Sequence, residues 1–499
     1  MRRLTSTSST ALAALLAALV LLTLLGHKPL TDWDEGIYAE VSREMLSSGW
    51  LVPHWNLRPW FEKPPLELWI TAAFFKLFGI SEFTARAASA LSGVAIVALL
   101  HGWLARKRDL LAAWLCTVIL LSSFGFLHVA RVGETDVLLS LGCVLALIGL
   151  TEADEQNPTG WYLFWIGFAV AVMTKSGAAV VVPLTAMAFA LLQRWRMDHF
   201  ARAFWLGLAL FLLLVLPWHL YLWHLFGSRF LDDYLGWQVI TRATRQIEDH
   251  VTPWWFYFKV IAVSAPLLAL LSPFAVVHAL RRTSSGSGSG GEFRAWAVFG
   301  LAVFSCFTLA QTRLPQYIAP TYPALALLTA VFVEDWLRPA LRGRPVSFPI
   351  KLAVAATVAC AAAYLVTAPA RKSLHSVAVA EGPESENKDS VALLRDVFRH
   401  PQPISGPLLL WRQGRIMSIT TDMFYSRRQV QQVQLAVPPG TVPDPPYGFD
   451  PKPLSDEVTQ QPRLILLDKG LVAQVPAGYL YTPFESNKSM ELGAIIRKP

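Results

Sequence analysis

Charge and cysteine are both scarce in this 499-residue chain. Asp, Glu, Lys and Arg make up only 16% of it, while 54% is hydrophobic and 12% aromatic, a balance far from that of a soluble globular domain. Its four cysteines, Cys116, Cys143, Cys306 and Cys360, all fall in apolar runs, so no disulfide framework is implied. No fixed-period repeat is present, which excludes a solenoid. The net charge of +8 is accounted for by Lys and Arg in the connections between apolar runs, and a nucleic-acid partner is not called for. What is there instead is a long series of apolar runs near the length needed to cross about 30 Å of hydrocarbon.

These runs predict an α-helical polytopic membrane protein with about eleven spans, at 11–26, 83–104, 110–127, 136–151, 161–174, 176–192, 203–225, 254–280, 295–310, 317–333 and 350–368. Basic residues flanking the ends set the orientation. Starting inside at Arg2 and Arg3, alternate connections carry Arg106, Lys107 and Arg108; Arg194, Arg196 and Arg202; Arg281, Arg282 and Arg294; then Arg338, Arg342, Arg344 and Lys351. The connection from Glu152 to Gly160 breaks the pattern, since it is acidic and holds no basic residue. The first run reads as a retained anchor rather than a cleaved signal. Composition shifts near residue 370. Residues 1–369 form the membrane module and 370–499 a small soluble α/β or α+β domain placed outside, with "ENKDSVALLRDVFRH" (386–400) as an amphipathic helix. "SSGSGSGGEF" (284–293) is a flexible linker on the inner side.

Two outer connections are long, 27–82 and 226–253. In the first, "DEGIYAEVSREMLSSG" spaces Ile37, Tyr38, Val41 and Met45 on one helix face, and "PPLELWITAAFFKLFG" does the same with Leu66, Trp69, Ile70, Ala73, Phe74 and Leu77. At about 14 residues the second covers only roughly 20 Å. Both are expected to lie along the interface rather than cross it. Asp32, Asp34 and Glu35 open the first helix, and Glu62 and Lys63 open the second, stiffened by Pro64 and Pro65. Asp136 in "ARVGETDVLLS", Lys175 in "MTKSGAA", and Arg313 and Tyr317 in "TRLPQYIAP" fall on the same side of the predicted topology. Each has a structural use, as a helix-end charge, a cap, a snorkelling side chain or an interfacial anchor. Ionisable residues at membrane depth are nevertheless site candidates, and these converge on one face.

The stretch from "DEGIYAEVSREMLSSGW" through "FEKPPLELWITAAFFKLFG" to "ISEFTARAASAL", followed by the LPxYxxP turn at 314–320, resembles the membrane glycosyltransferases of the GT-C class. These use a polyprenyl-phosphate-linked sugar and include the protein O-mannosyltransferases and the lipid A aminoarabinose transferase. The resemblance covers roughly residues 10–335. It implies Asp34 as general base with Glu35 beside it, Lys63 and Tyr317 at the donor phosphate, and Asp136 as a recurrent acid at its helix start. "RATRQIEDHVTPWWFY" is similar to an outer segment of that class, so Glu248 and His250 become candidates. Glu62 and His250 are the pair that a divalent ion would use, if one is needed. Two departures stand out: Ile37 replaces an arginine of the aminoarabinose branch, and Arg313 replaces a common lysine before LP.

The chemistry agrees with this resemblance. A phosphate that departs from an anomeric carbon gains negative charge, so cations such as Lys63, Lys175 and Arg313 would bind the transition state more tightly than the ground state. A carboxylate such as Asp34 would take the acceptor's proton. Direct displacement would invert the anomeric centre. The expected partners are a polyprenyl-phosphate sugar, membrane lipids and an acceptor outside the inner membrane. A flippase for a lipid-linked substrate is the competing class.

Overall fold

A computed structural model describes residues 6–153, 158–193, 202–245, 252–281, 291–338, 388–399, 404–412, 419–435 and 451–498. The predicted span 350–368, together with Glu248 and His250, lies outside the described residues. Two compact units divide the chain: Met1–His27 with Phe61–Ala380, and Lys28–Trp60 with Glu381–Pro499. The first outer connection is therefore split, its amino-terminal half clustering with the carboxy-terminal segment.

The first unit is helical throughout its described part. Glu82–Lys107, Arg202–Phe226 and Gly291–Leu309 are each long and apolar enough to cross a membrane. Other predicted spans are shorter or interrupted. Asp136–Glu152, Thr159–Lys175 and Thr321–Leu337 have 17 residues each, about 26 Å of helix. The span expected at 254–280 is two helices, Phe256–Ser264 and Pro266–Arg281, bent by 117°. Pro266 follows Ala265 there, and a proline both lacks an amide donor and restricts the residue before it. The span expected at 110–127 breaks at Ser123, between Leu110–Ser122 and Phe124–Val129. Arg202–Phe226 turns Trp205, Leu213, Leu220 and Trp223 outward, the aspect of a helix whose solvent is lipid.

Asp136–Glu152 and Thr159–Lys175 form the tightest helical hairpin, and glycine is the cause. A Cβ added at Gly149 would lie 2.3 Å from the Phe164 amide nitrogen, and one at Gly167 would lie 2.3 Å from that of Ala146. Small residues at such positions let two backbones approach, the main packing device where lipid is as apolar as leucine. The close approach fixes Asp136, at the start of one helix, against Lys175, at the end of the other.

At the opposite end of the same helices, an ionic network gathers Lys107, Arg108 and Arg338, three of the basic residues that flank the predicted spans. Lys107 Nζ is 3.1 Å from Glu152 and 3.3 Å from Glu292. Arg108 binds Glu334 and Asp335, which also accepts from His278 at 2.9 Å, and Arg338 binds Glu334 and Asp109. The acidic connection that broke the basic pattern therefore supplies Glu152 to Lys107. The connections holding Lys107, Glu152, Glu292 and Glu334 share one end of the unit, and Asp136 and Lys175 lie at the other. The first helix, Ser6–Leu22, packs against Glu82–Lys107, and Arg131 donates to the carbonyls of Val20 and Leu21 at 2.8 Å each.

Leu66–Phe78 is a 13-residue helix, as its spacing predicts, with an instructive orientation. Its buried face is Glu67, Leu68, Thr71, Ala72 and Phe75, packed on Glu82–Lys107, whereas Leu77 of the predicted apolar stripe is 73% exposed. An interfacial helix offers its apolar stripe to lipid, and its other face then meets protein.

In the second unit a six-stranded sheet runs in the order 452–453, 430–434, 408–411, 463–468, 490–497, 479–486. The first four strands are mutually parallel and the last two join antiparallel. The parallel strand Leu408–Trp411 is buried throughout, as a central strand with covered faces should be. The helices Lys388–Arg399 and Thr420–Ser426 belong to the same unit. Asp34–Ser48 packs on Thr420–Ser426 and is buried on both sides. Ile37, Tyr38, Val41 and Met45 are covered as expected, but so are Glu35, Glu40, Ser42 and Glu44. Arg43 meets Glu40 bidentately at 2.7 and 2.6 Å. Burial nonetheless lifts the Glu40 carboxyl to about 7, against the opposing pull of Arg43.

Candidate active site

The FEKPP segment is anchored through its first residue. Phe61 sits in an aromatic cluster, 4.8 Å from Phe226 and 5.6 Å from Phe230 between ring centres. Lys63, 9% exposed, donates to the side chain of Gln238 at 3.3 Å. Gln238 belongs to Asp232–Thr241, which is wound as a π-helix, a rare form that is frequent at functional sites. Pro64 and Pro65 then lead into Leu66–Phe78, so a rigid entry and a buried aromatic fix the lysine between them.

Asp136 is 2% exposed and meets Lys175 Nζ at 2.8 Å. Lys175 Nζ also lies 4.4 Å from the centre of the Tyr317 ring, a cation–π contact. Tyr317 Oη in turn accepts from the Arg242 guanidinium at 3.2 Å. Asp136, Lys175 and Tyr317, picked out from three distant stretches of sequence, are thus in one connected group.

Arg313 stands differently. Its guanidinium donates to the backbone carbonyls of Thr308 at 3.0 Å and Thr252 at 2.5 Å. That shapes the turn; the cation on Tyr317 is Arg242. Arg242 is held by backbone pairing of its own segment, with Gln311 N–H donating to Ala243 and Thr312 N–H to Arg242 at 3.1 and 3.2 Å. Tyr257 Oη donates to the Leu314 carbonyl at 3.2 Å and so fixes the LPQY turn from the other side.

Glu67, one helical turn beyond Lys63, was not singled out by pattern. It is 1% exposed; one oxygen accepts weakly from Ser89 at 3.4 Å and the other is buried with no hydrogen-bond partner. Ser89 Oγ donates at 2.8 Å to the carbonyl of Glu134, two residues before Asp136. Burial raises the Glu67 carboxyl to about 8; the Ser89 bond opposes this and the charge of Asp136 adds to it. At neutral pH Glu67 keeps its proton, and Asp136 faces Lys175 as the one carboxylate of the three-residue group. The signal that could have found Glu67 is that it is the single acidic side chain in the helix LELWITAAFFKLF. Gln238 gives no such signal.

In the second unit, Asp34 and Glu35 take different positions. Glu35 is 1% exposed, and its Oε2 accepts from the Thr31 amide at 2.6 Å and the Thr31 hydroxyl at 2.9 Å. Its carboxylate is committed to closing the turn. Asp34 is half-buried at the first position of the helix. Glu62 is half-buried, between Phe61 and Lys63 in the first unit's FEKPP segment. Among the described residues no three His, Cys, Asp or Glu side chains cluster as metal ligands.

Residues 62–221 match the dolichyl-phosphate-mannose-protein mannosyltransferase family. The undecaprenyl phosphate-alpha-4-amino-4-deoxy-L-arabinose arabinosyl transferase of Erwinia tasmaniensis is 32% identical over 336 residues, covering 64% of this chain and 58% of that protein. This chain thus spans less than two thirds of the length of the curated relatives it matches. Among solved structures, ArnT from Cupriavidus metallidurans bound to undecaprenyl phosphate aligns with TM-score 0.72 at 22% identity, over 98% of both chains. An apo oligosaccharyltransferase from Archaeoglobus fulgidus aligns with TM-score 0.56 at 14% identity, over 86% of this chain and 64% of that one.

Proposed function

We propose, from the premise that this chain belongs to the GT-C class of membrane glycosyltransferases, that it moves one sugar from undecaprenyl phosphate or a similar polyprenyl phosphate to a lipid A-type glycolipid outside the inner membrane. The observation that carries this reading is the connected set Asp136, Lys175, Tyr317 and Arg242, with the FEKPP lysine, 9% exposed, donating to Gln238 in the segment that leads into Arg242. The names of the relatives support the donor class, a sugar carried on undecaprenyl phosphate.

The reaction is a displacement at the anomeric carbon. An acceptor oxygen attacks as the bond from that carbon to the donor phosphate breaks, and the lipid phosphate leaves with the electron pair. Lys63, Arg242 and the Tyr317 hydroxyl stabilise the oxygen on which charge develops. Lys175, already neutralised by Asp136, orients Tyr317 through its ring face and adds less positive field than its formal charge suggests. Asp34 accepts the proton of an acceptor hydroxyl; Glu35, whose Oε2 accepts from Thr31, holds the turn. With no second nucleophile in the path, the product has the opposite anomeric configuration. A divalent ion, if the reaction used one, would be held by Glu62 and His250. The amino terminus would lie inside, with the active site and residues 370–499 outside.

Purified protein given undecaprenyl-phosphate-linked pentoses and hexoses with lipid A as acceptor tests the reading. The expected result is free undecaprenyl phosphate in equal amount to glycosylated acceptor, with Asp34→Asn reduced at least about 100-fold. Transbilayer movement of the donor without release of the lipid phosphate would favour the flippase instead.

A further inference from the structure

Outside the catalytic group, the least economical stretch of backbone is the turn that precedes Asp34. Trp33 has φ 67° and ψ −128°, a conformation that L-residues with bulky side chains rarely adopt. Such a residue persists only where its surroundings over-determine it, and such residues cluster at functional sites. The surroundings here come from the carboxy-terminal segment. The Leu30 amide donates to Tyr425 Oη at 2.8 Å, across 395 positions of sequence, and Tyr425 has no exposed surface. Asp32 Oδ1 accepts from both the amide and the hydroxyl of Thr421 at 3.4 Å. Thr31 is tied forward to Glu35, so every residue from Leu30 to Asp32 has an assigned partner on one side of Trp33.

The far end of the Asp34–Ser48 helix is tied to the same segment. Asn56 exchanges two bonds with the backbone of Val430, both at 3.1 Å, and Leu57 N–H donates to Glu44 at 3.0 Å. Asn56 and Leu57 also have positive φ, 52° and 63°. Attachments at both ends hold the helix and the strained turn as one piece with Thr420–Ser426 and the strand Val430–Gln434.

We infer that Thr420–Ser426 is a positioning element for the general base, in which Tyr425 and Thr421 hold the Leu30–Trp33 turn in the strained form that sets Asp34 at its catalytic position. This rests on the assignment of Asp34 as base, and it gives the carboxy-terminal segment a part in the reaction. Tyr425 and Thr421 touch no reacting atom; they act through the backbone. Without the Tyr425 hydroxyl the Leu30 amide loses its acceptor, and the turn relaxes toward a negative φ at Trp33. A shift of about 1 Å at a catalytic group is worth as much as 100-fold in rate.

The test uses the full-length protein in lipid nanodiscs and three variants, Tyr425→Phe, Thr421→Val and Thr421→Ser. Amide hydrogen exchange over residues 28–37 reports the turn itself, while kcat and the donor KM report its effect on the reaction. Tyr425→Phe is expected to speed exchange at Leu30 and Thr31 and to lower kcat roughly 10- to 100-fold, with the donor KM within about twofold of wild type. Thr421→Val should follow the same pattern, and Thr421→Ser, which keeps the hydroxyl, should restore kcat. A wild-type kcat in Tyr425→Phe, or a loss confined to KM, overturns the inference even where Asp34→Asn is inactive. Full turnover in Asp34→Asn removes the base assignment instead. Equal losses in Thr421→Ser and Thr421→Val would also overturn it, since side-chain packing alone would then account for the effect.

Discussion

Replacing Glu67 by glutamine should make the protein more stable at neutral and alkaline pH, and the size of the effect follows from burial. The folded protein holds the Glu67 proton up to about pH 8, whereas an unfolded chain releases it near 4.5. Between these values the folded state binds more protons than the unfolded one, so stability falls as pH rises, by about 1.4 kcal/mol per unit. The favourable contribution is full below about 4.5, declines through the window and is gone once pH passes the folded value near 8. Across the whole window the change is on the order of 5 kcal/mol. Glutamine does not titrate, so Glu67→Gln lacks this slope. Thermal or denaturant unfolding in detergent micelles, run at pH 5, 6, 7 and 8, measures the difference between variant and wild type. The difference should be small at pH 5 and grow steadily to pH 8. Glu40 and its neighbours titrate in both proteins and cancel in the comparison. A difference that is constant over this range would refute the reasoning, because it would mean that the Glu67 carboxyl ionises as it would in water.

Three further outcomes follow from the geometry. Gly149→Leu or Gly167→Leu, which places a side chain where even a Cβ lies 2.3 Å from the neighbouring backbone, should force the hairpin apart, weaken the Asp136–Lys175 pair at 2.8 Å and lower kcat about 10- to 100-fold, whereas Gly300→Ala, with its nearest neighbour at 3.6 Å, should be close to neutral in a turnover assay. Arg242→Ala should lower kcat/KM for the donor by about 100-fold through loss of the cation on Tyr317, while Arg313→Lys should show its effect as a lower unfolding temperature with the donor kinetics of the remaining folded protein little changed. Treatment with EDTA should leave turnover unaltered; a loss that is restored by one divalent ion would bring Glu62 and His250 into the site as ligands.

Much of this organisation is legible in the sequence, for identifiable reasons. Apolar runs and basic connections report the membrane because lipid and water sort residues strongly, and the DE, FEKPP and LPQY motifs stand out because charge at membrane depth is expensive. Asp136, Lys175 and Tyr317 were picked out on that ground and lie together. Length and hydropathy do not encode where a helix breaks, so Ala265–Pro266 and Ser123 interrupt runs that read as continuous. Arg313 reads as an outer cation and Arg242 carries no such signal; only the fold assigns Arg313 to backbone carbonyls and Arg242 to Tyr317. Leu66–Phe78 shows the reverse difficulty. Its spacing marks Leu66, Trp69, Ile70, Ala73, Phe74 and Leu77 as one face, whereas the buried face is Glu67, Leu68, Thr71, Ala72 and Phe75, so periodicity alone does not reveal Glu67. The tie between Leu30 and Tyr425 spans 395 positions and has no local signature at all.

The most direct test of the account is the turnover of Lys63→Ala beside Lys63→Arg with a defined undecaprenyl-phosphate sugar, followed by mass spectrometry of both the glycosylated acceptor and the released lipid phosphate. The account predicts a loss of at least about 100-fold in Lys63→Ala, partial recovery in Lys63→Arg, and equal amounts of the two products wherever activity is seen. Lys63→Ala at the wild-type rate would contradict it.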